Sequence, residues 1–251
     1  MIDTLSDNTI RARSCPDCYL CGAQGKILYR GLSDRLFGSP GEWDLKTCSN
    51  PECQLVWLDP MPLKEDIVKA YEAYFTHGKN KPNSQYKGLK EAIMSNLGKT
   101  YRAMLRVTPL YYERKKRSLM YLDKLTPGRL LDVGCGNGDQ LAQMHALGWK
   151  VEGQEIDPKA AEYARNTHGL TVHLGALENL AFPDATFDAI IISHVIEHMH
   201  DPIALLLECY RIMRANGVLL AFTPNIESCG HRYFKSCWFA LDPPRHLYLF
   251  S

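Results

Sequence analysis

Hydrophobic residues in the second half of the chain form short runs that alternate with amphipathic stretches. The runs RLLDV, WKVEGQEID, LTVHLGAL, FDAIIISHVI and GVLLAFTPN have the length and apolar character of buried strands. Between them, PKAAEYARNTHG and DPIALLLECYRIMRANG have helical spacing, and the second is expected to stop at its glycine. This alternation predicts an α/β domain with a doubly wound, mostly parallel sheet of five strands.

Before this domain the pattern is weaker and mostly helical. QLVWLDPMP predicts a short strand that ends at its prolines, and LKEDIVKAYEAYF has helical periodicity. The polar stretch HGKNKPNSQYKG is expected to be a loop. Residues 89–125 have the spacing of helices that break near Pro109.

Five of the nine cysteines lie before residue 54, in CPDCYLCG and CSNPEC. An odd number of cysteines argues against a disulfide framework. Tetrahedral zinc needs four ligands, and two tight cysteine turns supply two thiolates each. The predicted ligands are Cys18, Cys21, Cys48 and Cys53, with Cys15 as a spare or as an alternative to Cys18. A closed site of four thiolates is structural, so it indicates a zinc-ribbon-like module and no chemistry.

The sequence also indicates how the chain divides into parts and which partners are not expected. We expect a zinc-ribbon-like module at 1–62, a helical linker or cap at 63–126 and the α/β domain at 127–251. The 29 basic and 28 acidic residues balance, so no general attraction to nucleic acid or anionic membranes is expected. The basic run at 114–117 is interpreted as a solvated helix face. With no apolar leader or bilayer-length run, the protein is expected to be soluble and cytoplasmic.

The loop after the first strand of the α/β domain carries glycines at alternate positions, Gly134, Gly136 and Gly138. In a dinucleotide fingerprint the last glycine would stand at Asp139, whose carboxylate would repel a phosphate. No Gly-Lys-Ser/Thr follows, which excludes a P-loop. Asp132, inside the preceding strand, instead favours a ligand that carries positive charge and no phosphate, such as S-adenosylmethionine.

Residues 129–225 resemble the class I S-adenosylmethionine-dependent methyltransferases. The resemblance rests on LLDVGCGNG, VEGQEID, PDATFDAIIISHVIEHMHDP and RANGVLLAFTPN, in the order typical of the family. The sequence also resembles a subgroup of this family that has an N-terminal zinc-ribbon head. Three features carry that resemblance: the two cysteine pairs, the segment LVWLDPMP and the segment DPPRHLYLF. The resemblance implies a Rossmann-like fold and methyl transfer to an oxygen, carbon or nitrogen of a small-molecule acceptor. The alternatives are a zinc-containing RNA methyltransferase and a cofactor-binding scaffold without turnover.

The resemblance also implies a set of residues that bind the cofactor. Glu155 should accept hydrogen bonds from the ribose hydroxyls, with Asp157 as the competing candidate. Ala176 stands where the family often has an acidic adenine contact, so the Leu177 amide is expected to bind the ring, with Glu178 as the alternative acidic contact. The full predicted set is Asp132, Gly134, Cys135, Gly136, Gly138, Glu155, Ile156, Ala176, Leu177 and His194.

Two histidines are candidate general bases, His194 after the fourth strand and His246 in the late PPRHLY. Arg245 and Tyr248 are candidate substrate contacts. Glu197 and His198 are interpreted as capping or packing groups. A divalent metal at this place, as in some related quinone O-methyltransferases, is not expected.

The family's fold usually continues past the fifth strand with a helix and a final strand pair. This sequence stops at LYLFS, before those elements. Either the last elements are missing through truncation, or the sheet has an exposed edge that associates with another chain as a homo-oligomer.

Overall fold

The computed structural model describes residues 9–71 and 108–251. Its strands are β1 (Ala12–Arg13), β2 (Gly25–Leu32), β3 (Trp43–Cys48), β4 (Val56–Leu58), β5 (Met61–Pro62), β6 (Arg129–Val133), β7 (Lys150–Glu155), β8 (Val172–Leu174), β9 (Phe187–Ser193), β10 (Met213–Phe222) and β11 (Tyr248–Leu249). Its α-helices are α1 (Pro109–Ser118), α2 (Asp139–Ala146), α3 (Pro158–His168), α4 (Pro202–Ile212) and α5 (Cys229–Phe234). Short 3₁₀ helices cover Ile67–Tyr71, Leu177–Asn179, Ile196–His198, Lys235–Cys237 and Phe239–Leu241.

The α/β domain is built on a parallel sheet with the strand order β10-β9-β6-β7-β8. All four strand pairs are parallel, and apolar clusters lie on both faces of the sheet. The predicted doubly wound α/β fold with five parallel strands is therefore confirmed. The chain leaves β6 in one direction along the sheet and reaches β9 on its other side, which places the topological switch point between these two strands.

Local sequence explains where the helices of this domain begin and end. Asp157 caps α3 by accepting from the backbone N–H of Lys159, Pro158 follows as the first helical residue, and Gly169 closes the helix in the left-handed conformation. Asp201 caps α4 in the same way, by accepting from the N–H of Ala204.

One predicted boundary is wrong. Helix α4 ends at Ile212 instead of Gly217, and β10 begins at once with Met213 paired to Phe187. Gly217 instead belongs to a register shift between Met213 and Val218, where an added Cβ would lie 2.5 Å from the Met213 side chain. The glycine therefore serves a bulge in a strand, a use that the sequence pattern does not distinguish from a helix stop.

The N-terminal part forms an antiparallel sheet with the order β11-β4-β3-β2, and β1 pairs separately with β5. Strand β11 comes from the far end of the chain, so the N-terminal sheet is completed by C-terminal residues. A parallel bridge from Asn225 to Phe250 ties this sheet to the end of β10. The division into parts at residues 62 and 126 stays a prediction.

The middle of the chain is described only at its two ends. The predicted helix over LKEDIVKAYEAYF is represented by the 3₁₀ helix Ile67–Tyr71, and α1 begins at Pro109. The predicted loop at 77–88 and the helices predicted over 89–107 lie outside the described residues. Within the part that is described, no helix combines the length and apolar character needed to cross a membrane. At one edge of the parallel sheet, β10 pairs with β9 alone among the described strands, and association through that edge stays a prediction.

Candidate active site

The carboxyl ends of β6, β7, β8 and β9 meet at one edge of the parallel sheet, where ligands of such folds bind. The glycine loop follows β6, and His194 follows β9, so both lie at the switch point. Most of the residues predicted to bind cofactor therefore come together at one end of the sheet.

The glycine loop needs its glycines for two different reasons. Gly134, Gly136 and Gly138 all have positive φ, at 70°, 54° and 77°. At Gly134 an added Cβ would also lie 2.4 Å from Cγ2 of Val195, the residue after His194. The loop thus packs backbone directly against the segment that follows β9.

Gln154 in β7 holds this loop, and the motif gives no indication of it. Its backbone carbonyl accepts from Gly134 N at 2.8 Å and Cys135 N at 3.0 Å, and its side-chain Oε1 also accepts from Gly134 N. Its amide donates to the carbonyl of Gly175 at 2.6 Å. A buried glutamine therefore connects the glycine loop with the loop after β8. In the sequence, the only sign of these contacts is the glutamine itself, at the strand position that lies beside the glycine loop.

Two carboxylates lie beneath the glycine loop. Asp132 is 3% exposed, and burial together with the charge on Glu155 raises its pKa to about 7. Glu155 accepts three backbone hydrogen bonds, from Gly136 at 2.7 Å, Ile156 at 2.8 Å and Asp157 at 2.9 Å. Asp157 itself caps α3, where its side chain accepts from the backbone N–H of Lys159.

The residues predicted for the adenine side follow β7 and β8. Ile156 is apolar and yet 71% exposed, which offers an uncovered surface to a flat ring. Ala176 precedes the 3₁₀ turn Leu177–Asn179, whose leucine is buried. Cys135, in the glycine loop, is buried, and burial together with Asp132 raises the pKa of its thiol to about 12.

His194 has a strained backbone and an open side chain. Its φ is 56°, and its N–H donates to the carbonyl of Phe222 at 2.8 Å. Its Nδ1 lies 3.3 Å from Glu197 Oε1, while the side chain is 66% exposed. The hydrogen bond to Glu197 raises its pKa above the usual value, against the opposing effect of burial.

The second candidate base, His246, differs from His194 in its surroundings. It is buried, its Nδ1 bonds to the carbonyl of Ala240 at 2.8 Å, and its ring packs on that of His198 with centroids 4.7 Å apart. Glu197, His198 and His246 place their polar atoms within 4.8 Å of one another.

The expectation that Arg245 and Tyr248 contact substrate is corrected by their burial. The Arg245 side chain is fully buried and donates to Asp34 at 2.8 Å and to Asp242. Tyr248 is buried in the cluster around β4 and next to the cysteines. Both hold the C-terminal segment against the N-terminal sheet, so neither faces an acceptor.

The four predicted thiolates meet in one cluster, with their sulfur atoms within 4.8 Å of one another. Sγ of Cys18 lies 3.6 Å from that of Cys53, and Sγ of Cys21 lies 3.4 Å from that of Cys48. Tetrahedral zinc with Zn–S bonds of about 2.3 Å places its sulfurs about 3.8 Å apart, so the donor set fits. The backbone amide of Ala23 and then Cys48 lower the pKa of Cys21 to about 7. Cys15 is outside this cluster of four.

Comparison with known proteins agrees with this geometry. Residues 131–221 match a family described as a methyltransferase domain. A "probable S-adenosylmethionine-dependent methyltransferase" of Mycolicibacterium smegmatis is 32% identical over 97 residues, which cover 38% of each chain. A ubiquinone biosynthesis O-methyltransferase of Cereibacter sphaeroides is 28% identical over 174 residues, covering 67% of this chain and 65% of that protein.

Solved structures are similar over part of the chain. A SAM-dependent methyltransferase from Thermotoga maritima is 25% identical, with a TM-score of 0.44, over 63% of this chain and 73% of that one. Among the curated relatives, the chain spans between 38% and 65% of the length of the first ones that it matches. The similarity to S-adenosylmethionine-dependent methyltransferases therefore centres on residues 131–221, which match the methyltransferase domain.

Proposed function

We propose that this protein transfers a methyl group from S-adenosylmethionine to a small-molecule acceptor. The observation that carries the proposal is the glycine loop, which lies over the carboxylates of Asp132 and Glu155 and has no lysine or arginine in residues 134–138. A cationic nucleoside suits such a site, whereas a pyrophosphate is repelled by it. The names of the relatives, which include O-methyltransferases, support the same reaction class.

The bound cofactor would supply an activated methyl group on a sulfonium, which is a good leaving group. The protein then has three tasks, which are to bind, to align and to remove a proton. Gly134, Gly136 and Gly138 let the backbone approach the methionyl part, and Asp132 supplies a negative charge for the ammonium. Glu155 has an unused lone pair beyond its three backbone bonds, which can accept from a ribose hydroxyl.

His194 is the proposed general base. Its side chain is open to the space in front of the switch point, and its Nε2 is left free because Nδ1 faces Glu197. In its neutral form, His194 can take the proton of an acceptor hydroxyl or amine as the methyl group is transferred. The buried position of His246 makes it the weaker candidate.

We also propose that Cys18, Cys21, Cys48 and Cys53 bind one structural Zn²⁺. The sulfur spacing supports this, and the backbone amide of Asn50 donates to Cys48 Sγ at 3.4 Å, as is common for thiolate ligands. Four protein ligands leave no open position, so the metal would stabilise the fold.

The test begins with calorimetric titration of the purified protein with S-adenosylhomocysteine and, separately, with NAD. We expect micromolar binding of the first and none of the second, and the reverse result would overturn the proposal. Transfer of a labelled methyl group is then measured with a metabolite extract and with total RNA. Label in small molecules supports the proposed acceptor class. Label in RNA would favour the zinc-containing RNA methyltransferase, and binding without any transfer would favour a scaffold.

A further inference from the structure

Glu197 is a fully buried carboxylate next to the exposed side chain of His194. It lies in the 3₁₀ turn Ile196–His198, four residues after the end of β9, and its side chain has no exposed surface. Oε1 is 3.3 Å from His194 Nδ1, whereas Oε2 has no hydrogen-bond partner among the described residues. A buried carboxylate with one unsatisfied oxygen is costly, so its presence needs an explanation.

Several titratable groups surround Glu197, and most of them are already committed. The pKa of His198 is lowered to about 4 by burial and by His246, which leaves His198 neutral at pH 7. Its Nδ1 lies 3.0 Å from both the hydroxyl of Tyr71 and the carbonyl of Arg245. His246 bonds through Nδ1 to Ala240.

The charged groups behind these histidines are one cation and two carboxylates, so they offer Glu197 no unpaired positive charge. Arg245 is paired with Asp34 and Asp242, and Asp242 also lies 3.9 Å from His246. His194 is therefore the group in contact with Glu197 that can balance its charge by taking a proton. Burial opposes ionisation of Glu197, but the hydrogen bond to His194, its own backbone amide and the neighbouring His198 and His246 together keep the pKa of Glu197 below its usual value.

Both members of this pair are fixed through their backbones. The carbonyl of Glu197 accepts from the N–H of Leu247 at 2.8 Å, so the C-terminal segment holds the turn. The N–H of His194 is bound to Phe222 in β10. With Nδ1 held on Glu197, the ring of His194 presents Nε2 outwards, where an acceptor approaches.

We propose that Glu197 is a positioning residue, which fixes the tautomer and orientation of His194 and stabilises the imidazolium that forms during methyl transfer. This inference rests on the proposed function. As the bond from the acceptor oxygen or nitrogen to the methyl carbon forms, the methyl–sulfur bond breaks and the sulfonium becomes a thioether. The acceptor proton moves to Nε2 of His194, and the positive charge produced there faces Glu197. The proton then leaves to water.

The pair also determines the pH dependence. Because Glu197 raises the pKa of His194, the neutral base is lost as pH falls through that raised value, and activity should fall with it. Removing the charge of Glu197 should lower the pKa of His194, so the acid limb of the pH–rate profile should move to lower pH.

The experiment compares wild type with Glu197→Gln and with the control Glu162→Gln, an exposed glutamate on α3, a helix that packs against β7 and β8. Titration of the His194 ring by NMR is expected to give a lower pKa in Glu197→Gln and an unchanged one in the control. The maximal rate of methyl transfer should fall about 10- to 100-fold in Glu197→Gln, while the affinity for S-adenosylhomocysteine stays the same.

The outcomes separate the two proposals. An unchanged pKa of His194 in Glu197→Gln overturns the role of Glu197, whatever the activity shows. Failure of wild type to bind S-adenosylhomocysteine overturns the proposed function, while the His194 titration still reports on the pair. Should Glu197→Gln not fold, nitrogen chemical shifts of neutral His194 in wild type decide: a proton on Nδ1 is expected, and a proton on Nε2 would refute the arrangement.

Discussion

The end of the parallel sheet at residues 132–157, our proposed cofactor end, and the surface around His194 and Glu197, our proposed acceptor side, are built in different ways. The cofactor end uses one continuous stretch, from Asp132 to Asp157, in which a loop folds back on the next strand. The acceptor side relies on a C-terminal segment whose Arg245 is bound to Asp34, 211 positions away in the sequence. The first region depends on backbone conformation, and the second on long-range side-chain contacts.

This difference bears on how each region fails. A loop made by glycines and backbone hydrogen bonds is sensitive to a single added methyl group but leaves the rest of the domain in place. A segment held by buried ion pairs loses its position when one partner is removed, because the remaining charge is left without compensation. Four predictions test the comparison.

The largest effect is expected at the cysteine cluster. Cys21→Ser should reduce bound zinc from about one ion per chain to near none, because three thiolates no longer close a tetrahedral site. The hydroxyl of Tyr19, between Cys18 and Cys21, donates to Asp201 at the start of α4, so the contact between the module and the α/β domain should weaken as well. Metal content is measured by mass spectrometry and stability by thermal unfolding. Cys229→Ser, at an exposed cysteine of α5, is the matched control, and equal zinc loss in both variants would contradict the assignment.

A smaller but substantial loss of stability is expected from Arg245→Met. Burial opposes the ionisation of Arg245, but Asp242 and Asp34 raise its pKa. Burial also opposes the ionisation of Asp34, but the hydrogen bond from Arg245 helps to keep the pKa of Asp34 well below its usual range. Removing the cation should cost about 3–5 kcal/mol of unfolding free energy, measured in urea. Arg211→Met, at a partly exposed arginine that also bonds two carboxylates, should change stability far less. Similar losses of unfolding free energy in both variants would show that burial does not set the contribution of these ion pairs.

At the cofactor end, Gly134→Ala is compared with Gly169→Ala. Both glycines have positive φ, 70° and 65°, so both alanines meet a backbone cost of about 1–2 kcal/mol. Only at Gly134 does the new Cβ also collide with Val195, since nothing lies within 4 Å of the position at Gly169. S-adenosylhomocysteine should bind at least about tenfold more weakly to Gly134→Ala, and with unchanged affinity to Gly169→Ala. Calorimetry on the folded variants checks this, and equal affinities would remove the loop from the binding site.

The smallest effect is a pH dependence of cofactor affinity. Because the pKa of Asp132 is about 7 in the free protein, a cationic ligand that favours the carboxylate should lower that pKa. Binding then releases a proton, so affinity should rise with pH between about 6 and 8, by no more than about tenfold per unit. Asp132→Asn should give a flat profile. A wild-type affinity that is constant over this range would show that Asp132 does not respond to the ligand.

Much of the cofactor end could be predicted because its signals are local. Glycines at positive φ, the Asp157 and Asp201 caps and the apolar strand runs all act within a few residues of themselves. The four cysteines were also predictable, since thiolate pairs on two turns have few other uses. The end of α4 was not predictable, because a glycine at position 217 is as compatible with the end of a helix as with the bulge that the structure has there.

The sequence by itself determined the fold class, the glycine loop, the acidic strand tips and the thiolate set. Only the tertiary structure decided that Arg245 and Tyr248 are buried, that Gln154 holds the loop and that Glu197 faces His194. The physical reason is range. Backbone conformation and capping depend on neighbouring residues, whereas burial and charge pairing depend on which distant segments the fold brings together.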